Sequence, residues 1–93
     1  MPIAVKDNIF IKGVGTSAAS GMLDGFVAPI DSTTVARLKA AGALIIGSAN
    51  MDEFGMGSYG LFGKNGTVVR NPLNPEHVAG GSSAGSSAMV ASY

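Results

Sequence analysis

The chain contains no cysteine and a single histidine, His77. That excludes a disulfide framework and a thiolate metal site, and one imidazole cannot supply a zinc cluster. Charge is scarce as well. Only 13% of the residues are Asp, Glu, Lys or Arg, and six basic side chains cancel six acidic ones. These charges are scattered, so there is no basic stripe to hold a phosphate backbone by counterion release, and direct nucleic-acid binding by this segment is not expected. Long apolar runs are missing too. The start, Met1-Pro2-Ile3-Ala4-Val5, gives way at once to Lys6 and Asp7, too soon for a signal peptide or a bilayer span. It also lacks the arginine-rich pattern of an organellar presequence. We expect no targeting segment in this chain and no membrane partner.

What is plentiful is apolar surface: 46% of the 93 residues are hydrophobic. A chain of this size builds one small domain with a marginal core, and so large an apolar share beside so few charges is the balance of a larger protein's interior. We therefore read residues 1–93 as one partial domain of a bigger α/β protein. No repeat or internal boundary divides it.

Pro2 to Val5 reads as a short buried strand that ends at a polar tip, Lys6-Asp7-Asn8. Residues 9–30 read as an ordered loop anchored by Met22, Leu23 and Phe26. Asp31 or Ser32 caps a helix with an apolar face of Val35, Leu38 and Ala41, and Gly42 stops it. The continuous run Ala43-Leu44-Ile45-Ile46-Gly47 predicts a strand covered on both faces, as in a parallel sheet. Asp52 and Glu53 suit the first turn of a short helix. Being adjacent, they point about 100° apart, so we assign them to helix start and packing rather than to paired acid/base work. Residues 61–79 read as loop, with Asn71-Pro72 and Asn74-Pro75 as turn punctuation and His77 solvated. Asn65-Gly66-Thr67 fits a glycosylation sequon, but the Asn-Gly pair favours a tight turn.

The octet Gly80-Gly81-Ser82-Ser83-Ala84-Gly85-Ser86-Ser87 carries the chemistry. By composition it could be a linker. However, Ala84, Ala88 and Ala91 recur at i, i+4 and i+7, which predicts a packed helix starting at Ser82 or Ser83. Hydroxyls on a glycine-rich turn, with Lys6 far off in sequence to service them, suggest serine chemistry with a lysine base.

The residues in question resemble the amidase signature family, and within it the glutamine-hydrolysing A subunits of glutamyl-tRNA(Gln) amidotransferases. The resemblance runs in order through Pro2 to Asn8, Ala19-Ser20-Gly21-Met22-Leu23, Ser32 to Val35, Gly42 to Gly47, Asn50 to Ser58, Asn71-Pro72 and Gly80-Gly81-Ser82-Ser83. It implies a mixed sheet surrounded by helices, carrying a Ser-Ser-Lys triad. Lys6 would match the base and Ser82 the bridging serine, held through a cis peptide. Gly80, Gly81 and Ser83 would support that loop, Ser83 by hydrogen bonding, while Gly57 and Ser58 would touch the substrate. A lysine accepts a proton only when neutral, and burial disfavours its charged form. Neutral Lys6 would draw a proton through Ser82 from a second serine that attacks the side-chain amide of glutamine.

The resemblance further implies that ammonia passes to a partner subunit, which uses ATP and Mg to amidate a glutamyl group on tRNA. The partners would be B and C subunits or an F-type equivalent, with tRNA reached through them; no cofactor belongs to this segment. Such a protein would be cytoplasmic in a bacterium and in the mitochondrial matrix or plastid in a eukaryote. The family's attacking serine lies in a further Gly-Gly-Ser element beyond Tyr93. Its substrate-binding acid and arginine also fall outside, so we expect this chain to be inactive alone. Ala84 stands where the family generally has glycine, and Ala18 where cysteine or threonine is usual. Three alternatives remain: a different small-amide hydrolase of the family, an anion-binding module built on the amides of Gly80 to Ser83, and a segment that folds only against its parent.

Overall fold

A computed structural model describes residues 1–92. Its frame is a parallel pair of strands, β1 (Pro2–Lys6) and β2 (Leu44–Ala49), in register from Pro2 opposite Leu44 to Lys6 opposite Ala49. Pro2 opens β1, where its missing N–H costs the ladder least. Ile3 pairs with Ile45 but Ala4 pairs with Gly47, so Ile46 is an extra residue on β2 and the pair bulges there.

Helix α1 (Thr33–Ala40) makes the crossover between the strands. Of the two expected caps, Ser32 is the one used: its hydroxyl accepts from the Val35 amide at 3.2 Å. Gly42, with φ of 87°, ends the helix as expected, because its own amide reaches the Lys39 carbonyl and that of Ala43 reaches Leu38, both at 3.0 Å. One side of α1 buries Val35 against Val5 and Ile11, with Ile3, Ile9 and Ile45 packed around them. Leu38 is only half-buried and Ala41 is exposed, so the helix contacts the core through a narrower stripe than its sequence suggests.

Two further expectations hold only in part. Within residues 1–92 β2 is covered on one face by the α1 core, toward which Ile45 points, and is met from the other side by α2, whose Gly85 lies against the backbone at its end, while Leu44 and Ile46 stay 65% and 58% exposed. Phe26 does anchor the 9–30 loop, its ring 5.6 Å from that of Phe10 and its carbonyl accepting from the Thr16 amide, but Met22 does not. Met22 is 84% exposed, and the loop is held also by buried Ile11, Thr16, Ala19, Ser20 and Ala28. Small residues can be enclosed by their own loop, where a large apolar side chain at the surface finds no partner.

Helix α2 (Ala84–Ala91) follows an N-cap at Ser83. Ala84 and Gly85 are buried and Ala88 is half-buried, but Ala91 is exposed, so the packed side turns toward Gly85 rather than Ala91. Residues 61–79 form a loop, as expected. Asn65 and Gly66 both take positive φ, 55° and 73°, in a turn closed by the Thr67 amide on the Lys64 carbonyl. The Asn71 and Asn74 side chains accept from the amides of Leu73 and Glu76. Among the described residues no helix is long and apolar enough to cross a membrane.

Candidate active site

Lys6 is the last residue of β1, and the chain turns sharply after it. The Asp7 amide still reaches Ala49 O at 3.1 Å, and the Ile9 amide returns to Lys6 O at 2.9 Å. The Asp7 carboxylate then accepts from both the amide (3.2 Å) and the hydroxyl (2.7 Å) of Ser17, which folds the 16–20 loop over the strand end. Ala18 and Ala19 sit there with φ of 49° and 59°, and the Ala18 carbonyl accepts from Phe54, whose own φ is 50°. Left-handed backbone at a residue with a side chain costs about 1–3 kcal/mol and persists only where neighbours over-determine it. Three such residues meet beside the end of β1.

Ser82 arrives from the far end of the sequence. The peptide between Gly81 and Ser82 is cis. Lys6 Nζ donates to Ser82 Oγ at 2.6 Å, between residues 76 apart in sequence, both half-buried. A methyl group built on Gly55 would lie 3.8 Å from Ser82 Oγ, so the hydroxyl faces the backbone of the 53–55 turn. The contact is short enough for a proton to pass between nitrogen and oxygen, and the hydroxyl oxygen retains capacity for a second partner.

What the sequence does not reveal is the role of Asp52. It is fully buried, with Oδ1 accepting from the Phe62 amide at 2.9 Å and Oδ2 from the Gly60 amide at 3.1 Å. Its own amide donates to the Ser82 carbonyl at 3.1 Å. The expected place at a helix start is only partly right. Asp52 does precede a single 3-10 turn (Glu53–Gly55), but its side chain makes no capping bond there and serves the 57–62 loop instead. Glu53 is exposed, so the two acids do not act as a pair. A side chain on Gly57 or Gly81 would collide with the Asp52 carboxylate, and one on Gly60 with Ala84 Cβ and Gly80 O. The clue available in the sequence is the run of glycines spaced around one acid.

Of the other candidate residues, Gly80 (φ 83°) and Gly81 form the turn that leads into Ser82. Ser83 makes no side-chain capping bond; it supports the helix start through its carbonyl, which accepts from the Ser87 amide at 3.0 Å. Gly57 lies against Asp52 and Ser58 is exposed. Ser86 and Ser87 are on α2, half-buried and exposed respectively, and His77 is exposed in its loop. Among the described residues no three His, Cys, Asp or Glu side chains gather where they could hold one metal ion. Asp31, ahead of α1, is held by two lysines through different kinds of contact. The Lys12 amide and then the Lys39 ammonium hold its carboxyl below the ordinary value.

Comparison with known proteins agrees with this arrangement. The chain is 59% identical over 91 residues to the A subunit of glutamyl-tRNA(Gln) amidotransferase from Symbiobacterium thermophilum, covering 98% of this chain and 18% of that protein. The crystal structure of the corresponding Thermotoga maritima protein superposes with a TM-score of 0.90 at 43% identity, over 97% of this chain and 20% of that one. An allophanate hydrolase from Kluyveromyces lactis gives 0.84 at 42% identity, over 97% of this chain and 14% of that enzyme. The chain thus spans about a fifth of the length of the amidotransferase subunits it matches. The Amidase family matches residues 1–93 from end to end, and with a sheet, a lysine and a serine arranged as above, the chain belongs to that family.

Proposed function

We propose that these residues supply the base and the bridging serine of a Ser-Ser-Lys centre that releases ammonia from glutamine, in the A subunit of a glutamyl-tRNA(Gln) amidotransferase. The observation that carries this reading is the 2.6 Å contact between Lys6 Nζ and Ser82 Oγ. The relay works from the amine form of Lys6, in which the Ser82 hydroxyl donates to Nζ. A second serine, on a segment outside these 93 residues, gives its proton to Ser82 Oγ as it attacks the amide carbon of glutamine. The tetrahedral intermediate collapses to an acyl-enzyme, the returning proton leaves with ammonia, and water then yields glutamate. Gly57 and Ser58 would border the substrate. Ammonia would pass to a partner subunit that uses ATP and Mg to activate a glutamyl group on tRNA. The enzyme would work in the cytoplasm of a bacterium, or in the mitochondrial matrix or plastid of a eukaryote.

The test is ammonia release from glutamine by the full-length parent together with its partner subunits. Lys6→Met and Ser82→Ala should each remove activity, by roughly a hundredfold or more for loss of a proton-transfer group. Wild-type rates in both variants would refute the relay. The allophanate hydrolase likeness supports a second reading, hydrolysis of another small amide. Turnover of allophanate but not glutamine by the same parent would favour it, with the Lys6 and Ser82 dependence unchanged.

A further inference from the structure

Asp52 makes no contact with Lys6 through a hydrogen bond, yet three features tie it to the serine. It donates its amide to the Ser82 carbonyl at 3.1 Å. Its Oδ2 fills the space in which any side chain on Gly81, the residue before Ser82, would stand. Each oxygen accepts from an amide of the 57–62 loop, Phe62 on Oδ1 and Gly60 on Oδ2, so the carboxylate cannot swing away without stranding the buried Gly60 donor and breaking the part-buried bond from Phe62. The same loop packs on the 80–84 turn, since Gly60 lies against Gly80 O and Ala84 Cβ.

We infer that Asp52 is a positioning residue for Ser82: it clamps the backbone on both sides of the serine and so holds Ser82 Oγ at proton-passing distance from Lys6 Nζ. This rests on the amide-hydrolysing reading above for its kinetic consequence, but not for its geometric one. The acid suits the task because only a carboxylate offers two acceptors, one to each amide; asparagine of the same shape offers one acceptor and turns a donor toward the other amide. The loop must then shift to relieve the clash between donors. Ser82 moves with it through the shared bond and the Gly81 contact, and misplacement by about 1 Å costs a reaction of this kind on the order of a hundredfold.

The experiment is Asp52→Asn in the full-length parent with its partner subunits. Expected are a drop in kcat for ammonia release of roughly a hundredfold, much larger than any change in KM that the shifted 57–62 loop brings, and little further loss when Ser82→Ala is added, because both changes disable one relay. A kcat equal to wild type, or losses that simply multiply in the double variant, overturns the inference. A crystal structure of the variant reads the geometry without any assay, and so separates this inference from the functional reading. Separation of Ser82 Oγ from Lys6 Nζ beyond about 3.5 Å supports it, and an unchanged contact overturns it. If the variant does not fold, hydrogen exchange of the wild-type parent decides. The amides of Asp52, Gly60 and Phe62 must be protected together and open together, and rapid exchange at Asp52 alone overturns the clamp.

Discussion

Gly85→Ala sets two opposing effects against each other. On an isolated helix the change is favourable by about 1 kcal/mol, since alanine is the better helix former. Here Gly85 is the second residue of α2, its amide donates to Asn50 O at 2.9 Å, and a methyl group on it would stand 2.6 Å from Asn50 N, 2.7 Å from Asn50 O and 3.2 Å from Ala49 C. All three neighbours are backbone at the end of β2, and no side chain can rotate away. Restoring ordinary contact at 3.4 Å requires α2 to retreat by roughly 0.8 Å. Ser82 lies immediately before the Ser83 cap, so a retreat of that size carries the 2.6 Å contact with Lys6 toward the limit of hydrogen-bonding range. Overpacking of this kind costs about 1–3 kcal/mol, which exceeds the propensity gain. We therefore expect Gly85→Ala to lower the melting temperature of the full-length parent and to slow ammonia release, while Ser87→Ala, on the exposed side of the same helix, leaves both near wild type. Thermal denaturation and a coupled ammonia assay on the two variants make the comparison. A Gly85→Ala protein more stable than wild type and fully active would refute the packing account.

Two other outcomes follow from the crossover. Ser32→Ala should destabilise the parent by about 1 kcal/mol through loss of the cap on the Val35 amide, measured by denaturant unfolding, with the activity per folded molecule unchanged. The Asp31 carboxyl titrates below its ordinary value because the ionised form is held by the Lys12 amide and by Lys39. Its small stabilising contribution is therefore present above the unfolded carboxyl's pKa and lost as pH falls through the lower folded one. Lys39→Met should move the Asp31 midpoint up toward the ordinary value in an NMR titration of its carboxyl carbon, and an unmoved midpoint would contradict the pairing.

Much of the architecture is legible because it depends on local chemistry. Ser32 and Gly42 mark α1 through capping hydroxyl and left-handed backbone, properties of those residue types wherever they occur. The parallel pairing of β1 and β2 follows from an apolar run after a helix, and the meeting of Lys6 with Ser82 from the family resemblance rather than from spacing. Exposure is less legible. Whether Leu44, Ile46 or Met22 is covered depends on what lies opposite, and no pattern within a strand or loop records its neighbour across space. Asp52 is hidden for the same reason: the donors that satisfy it, Gly60 and Phe62, belong to a loop whose fold around the carboxylate has no periodicity to read. Ser83 misleads because a serine beside a helix start so often caps it with the hydroxyl, whereas here the side chain makes no capping bond and the carbonyl accepts only the ordinary first bond of the helix, from Ser87.

Since β1 and β2 run in the same direction, Lys6 and Ala49 leave the sheet at one end, while Leu44 enters at the opposite end just after the exposed turn at Gly42. Insertions, tags or fluorophores at the Gly42 turn are expected to leave the contact between Lys6 and Ser82 undisturbed. The Lys6 end, where both long connections converge on the serine, has no comparable room for change.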